Sequence, residues 1–263
     1  MKELIQRRLK LKAKLQKRKR VFGTWTSFGH PSITEIFCRT GCDFIGIDVE
    51  HSTISQEQSQ RIIAAAQAGG AVCLPRLASH NMEMTKRLLD SGADGLIVPM
   101  IDTANQIERV IKWCKYSPQG TRSFGVARAH GYGFDFDEYV KAWNKSSILI
   151  AQIESITAVE NIKEIFSYEE VDAVMIGPYD LSASLAIPGQ LEHSRVRTLC
   201  RHVTETCRKL GKSCGIHNIE PDGSSIRRNF SDGYTFVVLA SDSLVLWKWS
   251  EVMKRHITQT KGR

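Results

Sequence analysis

The sequence holds no CxxC pair, no Rossmann glycine fingerprint, no solenoid repeat and no low-complexity tract. No apolar run approaches the roughly 20 residues that a membrane helix needs. Its seven cysteines (Cys38, Cys42, Cys73, Cys114, Cys200, Cys207 and Cys214) are odd in number and scattered. That excludes a zinc ribbon and a disulfide scaffold, predicts buried free thiols, and leaves oxygen ligands for any metal chemistry. The basic start is not followed by the apolar stretch of a secretory signal, so a soluble cytoplasmic protein is expected. A surplus of one charge is also missing from most of the chain. The formal net charge is +8, yet residues 1–20 hold ten Lys/Arg against Glu3 alone, and the other 243 residues carry 26 bases against 27 acids. The body is electrically neutral.

The basic start interleaves with Leu4, Ile5, Leu9, Leu11 and Leu15. This spacing predicts a helix with a narrow apolar stripe and a solvated basic face, distinct from the rest of the chain. A capping role is the simpler reading, and contact with nucleic acid or a membrane surface is the competing one. From residue 21 to residue 263 a single domain is expected, because 263 residues with 42% hydrophobic content suffice for one large α/β core.

Strand-like segments then alternate with helical ones. The strands are expected at 22–27, 44–48, 72–76, 95–100, 148–153, 173–176, 214–217 and 236–240. Helical patterns lie between them, over 55–68, 82–91, 103–116, 158–166 and 193–210. Eight strands with helical crossovers favour a closed (β/α)8 barrel, a TIM barrel, over a doubly wound sheet. Residues 117–135 interrupt the rhythm with Gly and turn formers and predict a long functional loop or lid, closed by a short helix over 137–144. Arg128, His130 and Tyr132 in that segment are candidates for reading a distal acid or sugar hydroxyls.

The strand ends carry the chemistry. A buried parallel strand is apolar, so polar side chains at its C-terminal exit face the rim where barrel active sites lie. Ser27, His51, Arg76, Met100, Glu154, Asp180, His217 and Ser241–Asp242 occupy those exits. Glu154 and Asp180 end successive strands and suit a hard divalent cation such as Mg2+ or Mn2+, whereas either alone would as readily pair with an Arg. Gln152 lies two residues before Glu154 and faces the same side. Asp48, Glu50 and His51 crowd one exit, where an imidazole suits a general base. Arg76 needs an anionic partner and its planar fork matches a carboxylate or an enolate oxygen. Asp90 reads on its own as a helix-end residue.

These segments resemble one family. Gly23-Thr24-Trp25, Ile47-Asp48-Val49-Glu50-His51, Leu74-Pro75-Arg76, Leu88-Leu89-Asp90-Ser91-Gly92, Val98-Pro99-Met100, Gly120-Thr121-Arg122, Gln152-Ile153-Glu154 and Ile176-Gly177-Pro178-Tyr179-Asp180-Leu181-Ser182 are similar to motifs of the HpcH/HpaI aldolases. These are metal-dependent class II aldolases acting on 2-oxo-3-deoxy sugar acids and related hydroxy-oxo acids. The resemblance implies a barrel of the phosphoenolpyruvate/pyruvate-binding type with a divalent metal (Mg2+, Mn2+ or Co2+) on Glu154 and Asp180. It also implies His51 as base, Asp90 as the partner that raises its basicity, Arg76 as stabiliser of a pyruvate enolate, and Gln152 with the backbone around Tyr179 and Asp180 as the oxo-acid cradle. A homo-oligomer built of dimers, up to a hexamer, with the last helix exchanged between subunits and Trp247 and Trp249 in the interface, is implied as well.

The chain departs from the pattern at Ser52 and Ser123, where glycine is frequent, and at His217, where the family is commonly apolar. His217 is therefore the candidate for substrate choice, and the aldehyde partner is open. Oxaloacetate decarboxylation and a citrate-synthase-like condensation use the same enolate and stand as alternatives.

Overall fold

The computed structural model describes residues 1–220 and 222–261. Eight parallel strands, β1 (Val21–Thr26), β2 (Phe44–Asp48), β3 (Val72–Arg76), β4 (Gly95–Val98), β5 (Ile148–Ile153), β6 (Ala173–Ile176), β7 (Ser213–Asn218) and β8 (Phe236–Ser241), close into a barrel in chain order. The helices are α1 (Lys2–Gln16), α2 (Pro31–Cys38), α3 (Gln56–Ala68), α4 (Met82–Asp90), α5 (Ala104–Cys114), α6 (Phe136–Ser146), α7 (Ile156–Glu160), α8 (Ile162–Ile165), α9 (Pro178–Ser184), α10 (Ser194–Lys209), α11 (Gly223–Ser231) and α12 (Asp242–Lys261). The (β/α)8 barrel expected from the strand–helix alternation is the observed fold.

Side-chain parity explains the interior. Alternate strand residues point inward, and Val21, Trp25, Phe44, Val72, Leu74, Ile97, Ile148, Ile150, Ala173, Met175, Phe236 and Val238 form one buried cluster. Large and small positions interdigitate to fill it. A Cβ on Gly46 would come within 2.5 Å of the Trp25 ring, so that glycine makes room for the indole beneath the site. The complementary, outward-facing residues pack against the helices in the larger core.

The N-terminal end of the barrel is plugged by α1, whose Leu11 and Leu15 join the interior cluster. The expectation of a solvated basic face holds for Lys2 and Lys10, which are exposed, and needs correction for Arg8, Lys12 and Lys14. Asp43, Asp94 and Asp172 stand immediately before β2, β4 and β6, and each accepts a hydrogen bond from a backbone N–H of the preceding strand, from Phe22, Cys73 and Leu149 respectively. Thr235 does the same before β8, accepting from Cys214. Helix α1 delivers Lys14, Arg8 and Lys12 to the three aspartates. Three of the ten basic residues thus pair with carboxylates that the sequence spread over 130 positions, and this arrangement gives the segment a structural role.

Arg8 and Asp94 are both almost fully buried, 3.3 Å apart, with the guanidinium also over the rings of Tyr139 and Trp143. Burial raises the Asp94 carboxyl against the pull of Arg8. Breaking such a pair leaves an uncompensated buried charge, so Arg8→Ala is expected to lower unfolding stability by about 3–5 kcal/mol. Urea unfolding checks this, and a loss under about 1 kcal/mol would contradict it.

Two further departures have local causes. The helix expected over 158–166 is broken into α7 and α8 at Asn161, whose side-chain amide donates 2.8 Å to the Asp102 carbonyl. The expected lid contains a 3₁₀ segment, Arg128–Gly133, that folds inward. Arg128 donates to Gln67 and to the Ser91 carbonyl, and His130 is fully buried against the Tyr116 hydroxyl. Tyr132 is exposed. None of the three borders the cavity described next.

Candidate active site

The inward series does not stop where the apolar interior ends. Two residues beyond Gly46, Leu74, Ile150 and Gly215 lie Asp48, Arg76, Gln152 and His217, and Glu154 follows Gln152 by two more. The same parity that fills the core therefore delivers a polar layer at the C-terminal mouth. That layer borders a cavity of about 1530 Å3 whose walls include Trp25, His51, Tyr179 and Asp180. His51, Arg76, Gln152, Glu154, Tyr179, Asp180 and His217 all border it, and Asp90 does not.

Asp48 and Arg76 are register partners on β2 and β3. Arg76 donates to Asp48 Oδ1 from Nη2 at 2.8 Å and from Nε at 3.2 Å, and its Nε lies 3.1 Å from Glu50 Oε2. Its guanidinium carbon is 5.0 Å from the centre of the Trp25 ring. The fork is thereby held in one orientation with its apolar face covered. Burial pushes the Asp48 carboxyl up, but Arg76 and the amide of His51 outweigh that and hold it below its ordinary value. The same amide contact, 3.0 Å, and one from the Glu50 amide at 3.2 Å shape the turn that carries His51.

Glu154 is buried at the exit of β5. Its Oε2 accepts from the Met100 amide at 2.7 Å and its Oε1 from Gln152 Nε2 at 2.9 Å. Met100 reaches that geometry with φ of 51°, a left-handed conformation that costs a non-glycine residue energy. A Cβ on Gly177 would come within 2.7 Å of Glu154 Oε1, so glycine is required where the carboxylate turns toward β6. Burial raises the Glu154 carboxyl to about 7, with Asp180 and Glu50 adding repulsion and the Met100 amide opposing it. Glu50 is likewise raised, first by burial.

A crowded set of carboxylates in need of positive charge fits a divalent cation. The oxygen donors suit a hard ion, and Gln152 Oε1 is enclosed without a partner. Among the described residues no three His, Cys, Asp or Glu side chains converge on one point, so an ion on Glu154 and Asp180 would take most of its coordination from water or substrate. Asp180, in the first turn of α9, is exposed to the cavity, beside Tyr179.

His51 projects from the rim with its side chain 67% exposed, and its Nε2 is 3.7 Å from Glu50 Oε2. Asp90 ends α4 outside the cavity and accepts from Arg122 Nη2 at 2.9 Å. The acid beside the imidazole within one chain is therefore Glu50 and not Asp90. His217 borders the cavity and stacks on Trp25. Trp25 itself had no role assigned from the sequence, although an inward aromatic near the end of a strand is the available signal.

An α/β barrel with a metal-fitting pair of carboxylates, an oriented arginine and a rim histidine defines a lyase-type site built for enolate chemistry. Comparison with known proteins gives the family. The HpcH/HpaI aldolase/citrate lyase model matches residues 21–247. A 2-keto-3-deoxy-L-rhamnonate aldolase of Escherichia coli is 33% identical over 255 residues, covering 95% of this chain and 92% of the relative. Among solved structures, an HpcH/HpaI aldolase/citrate lyase family protein from Burkholderia cenocepacia superposes with a TM-score of 0.88 at 26% identity, covering 95% of this chain and 99% of that one. A citrate synthase superposes at 0.84 with 26% identity, covering 96% and 99%. The chain belongs to the HpcH/HpaI aldolase/citrate lyase family, and it is an enzyme of the pyruvate aldolase type.

Proposed function

We propose that this enzyme cleaves or forms a 4-hydroxy-2-oxo acid through a pyruvate enolate, with a divalent metal (Mg2+, Mn2+ or Co2+) held by Glu154 and Asp180. The observation that carries the metal reading is the burial of the Glu154 carboxylate in the wall of a cavity that Asp180 also lines. When bound, the cation supplies Lewis-acid polarisation of the substrate's oxo group. Arg76, fixed by Asp48, Glu50 and Trp25, presents its positive fork to the oxygen on which charge develops. Gln152 and the backbone at Tyr179 and Asp180 hold the oxo-acid carboxylate. His51 takes the proton of the aldol hydroxyl in cleavage and returns it in synthesis, with Glu50 as its acidic neighbour. The name of the Escherichia coli relative points to 2-oxo-3-deoxy sugar acids as the substrate class.

Lyase, decarboxylase and condensing activities assayed side by side test the reading. Cleavage of a 2-oxo-3-deoxy sugar acid that is lost on EDTA treatment and regained with Mn2+ is expected to exceed oxaloacetate decarboxylation and condensation. Full cleavage after EDTA would overturn it.

A homo-oligomer built of dimers, up to a hexamer, is part of the same proposal. Only Asp242 of α12 is buried, while Val245, Leu246, Trp247, Trp249, Met253 and Ile257 are exposed on it. An apolar face of that kind supports an interface with another subunit. The double variant Trp247→Glu/Trp249→Glu is expected to dissociate the assembly in light scattering, and an unchanged mass would contradict the assignment. The cysteines are free thiols, which supports a cytoplasmic location. No helix among the described residues is long and apolar enough to cross a membrane.

A further inference from the structure

His80 lies in the loop between β3 and α4 and does not border the cavity. Its Nε2 is 2.7 Å from the carbonyl oxygen of Pro99, and because a carbonyl can only accept, that nitrogen carries the proton. Pro99 is buried, so its carbonyl needs a donor. The other end of the same peptide group is the Met100 amide, which donates to Glu154 Oε2 at 2.7 Å. One planar unit thus joins an imidazole to the buried carboxylate.

The chain on either side of this peptide is anchored. On the histidine side the Leu77 amide donates to the Ile97 carbonyl at 3.0 Å, and Asn81 caps α4 by accepting from the Met84 amide at 2.9 Å. On the other side Val98 pairs with Ala151 in the barrel, and the Ile101 amide donates to the Gln152 carbonyl at 3.3 Å. Between these anchors the peptide plane can face either way. As observed, Met100 has φ of 51°, in the left-handed region that favours glycine. Half a turn of the plane would return Met100 to an ordinary negative φ, swing its N–H away from Glu154 and bring the Pro99 carbonyl toward that carboxylate. Backbone preference therefore opposes the observed arrangement, and the hydrogen bonds at both ends of the peptide maintain it.

We propose that His80 is a positioning residue of the metal site, holding the Pro99–Met100 peptide so that its N–H fixes the Glu154 carboxylate for the cation. The inference rests on the reading of Glu154 as a metal ligand. Groups that orient a ligating side chain from outside the coordination sphere contribute about 10- to 100-fold in metal affinity. His80 acts through Glu154 and not on the substrate.

The test titrates metal-stripped, full-length protein with Mn2+ by isothermal calorimetry. His80→Phe, which has no donor, is expected to raise the Mn2+ Kd by about tenfold or more. His80→Gln, whose amide N–H can meet the Pro99 carbonyl, is expected to stay within about threefold of the unmodified protein. Met100→Gly removes the penalty on the left-handed conformation, so adding His80→Phe to Met100→Gly is expected to cost less than about threefold. The Kd does not depend on how much of a sample is folded, which the stoichiometry reports. Labelling with 15N-methionine adds a readout in the metal-free protein. The Met100 amide, assigned from Met100→Leu, is expected to resist deuterium exchange in the unmodified protein and to lose that protection in His80→Phe. A Met100 amide that exchanges as fast as a free peptide in the unmodified protein, or an unchanged Mn2+ Kd in His80→Phe, would overturn the role of His80. Unmodified protein that binds no Mn2+ would instead overturn the metal reading beneath it.

Discussion

Replacing Glu154 by Gln is expected to lower kcat/KM by about 10³-fold and to abolish tight binding of a divalent cation. The amide keeps the shape and one hydrogen-bonding oxygen for the Met100 amide but removes the charge that a hard cation requires. Several kcal/mol of charge stabilisation at the reacting oxygen corresponds to roughly this factor. The substitution has a second signature. In the metal-free protein the Glu154 carboxyl is raised from its ordinary 4.5 to about 7, first by burial. A folded-state value above the unfolded one means that the group's contribution to stability is fully present below about 4.5 and is lost as pH rises through about 7. The stability of the metal-free wild type relative to Glu154→Gln should therefore fall across that window, and adding Mn2+ at pH 8 should stabilise the wild type and not the variant. Thermal unfolding at several pH values reads both effects. A flat difference between the two proteins would contradict the burial of an uncompensated carboxylate.

Arg76→Ala is expected to damage stability and turnover together. The side chain is 11% exposed and serves Asp48 and Glu50 at once. Its loss leaves two adjacent, poorly solvated carboxylates without a cation, for which about 3 kcal/mol of destabilisation is expected. Asp48 is held below its ordinary value of 3.8, with the Arg76 charge the largest influence opposing burial. Its stabilising contribution is present above that ordinary value and lost as pH falls through the lowered one, so the stability deficit of the variant should be largest near neutral pH and shrink in acid. Turnover should fall by about 10³-fold, as expected for removing a preorganised donor from a developing oxyanion. Arg76→Lys should recover part of the stability and little of the turnover, because an ammonium cannot span both carboxylates and lie flat on Trp25. Urea unfolding with kcat measurements separates the two losses. A variant with full turnover would remove Arg76 from the chemistry.

Much of this was legible from residue order. Strand-end polarity pointed to Arg76, Glu154, Asp180 and His217, which border one cavity, because a parallel strand that is apolar throughout leaves few reasons for charge at its exit. The core layers were legible for the same reason, since inward parity in β3 and β5 follows directly from Val72-Cys73-Leu74-Pro75-Arg76 and Ile148-Leu149-Ile150-Ala151-Gln152. Contacts between distant segments were not legible. The ring of Asp43, Asp94 and Asp172 under α1 depends on three residues whose alignment appears only when the barrel closes. Arg128 and His130 look like loop residues in a glycine-rich stretch, and nothing local shows that they turn inward. Asp90 carries the sequence motif expected of it, but Arg122 engages it on the far side of α4. The short helix α11 begins with Gly223-Ser224-Ser225, whose helix propensity is weak, so tertiary packing decides it.

The most direct measurement is deuterium incorporation from heavy water into the methyl group of pyruvate, followed by proton NMR with metal-stripped enzyme before and after Mn2+ is restored. Exchange isolates enolate formation from every question of aldehyde choice. The account predicts exchange that is absent in the stripped enzyme, returns with Mn2+, and stays absent in Glu154→Gln under both conditions. Exchange at full rate in the stripped enzyme, or in the variant, would contradict it.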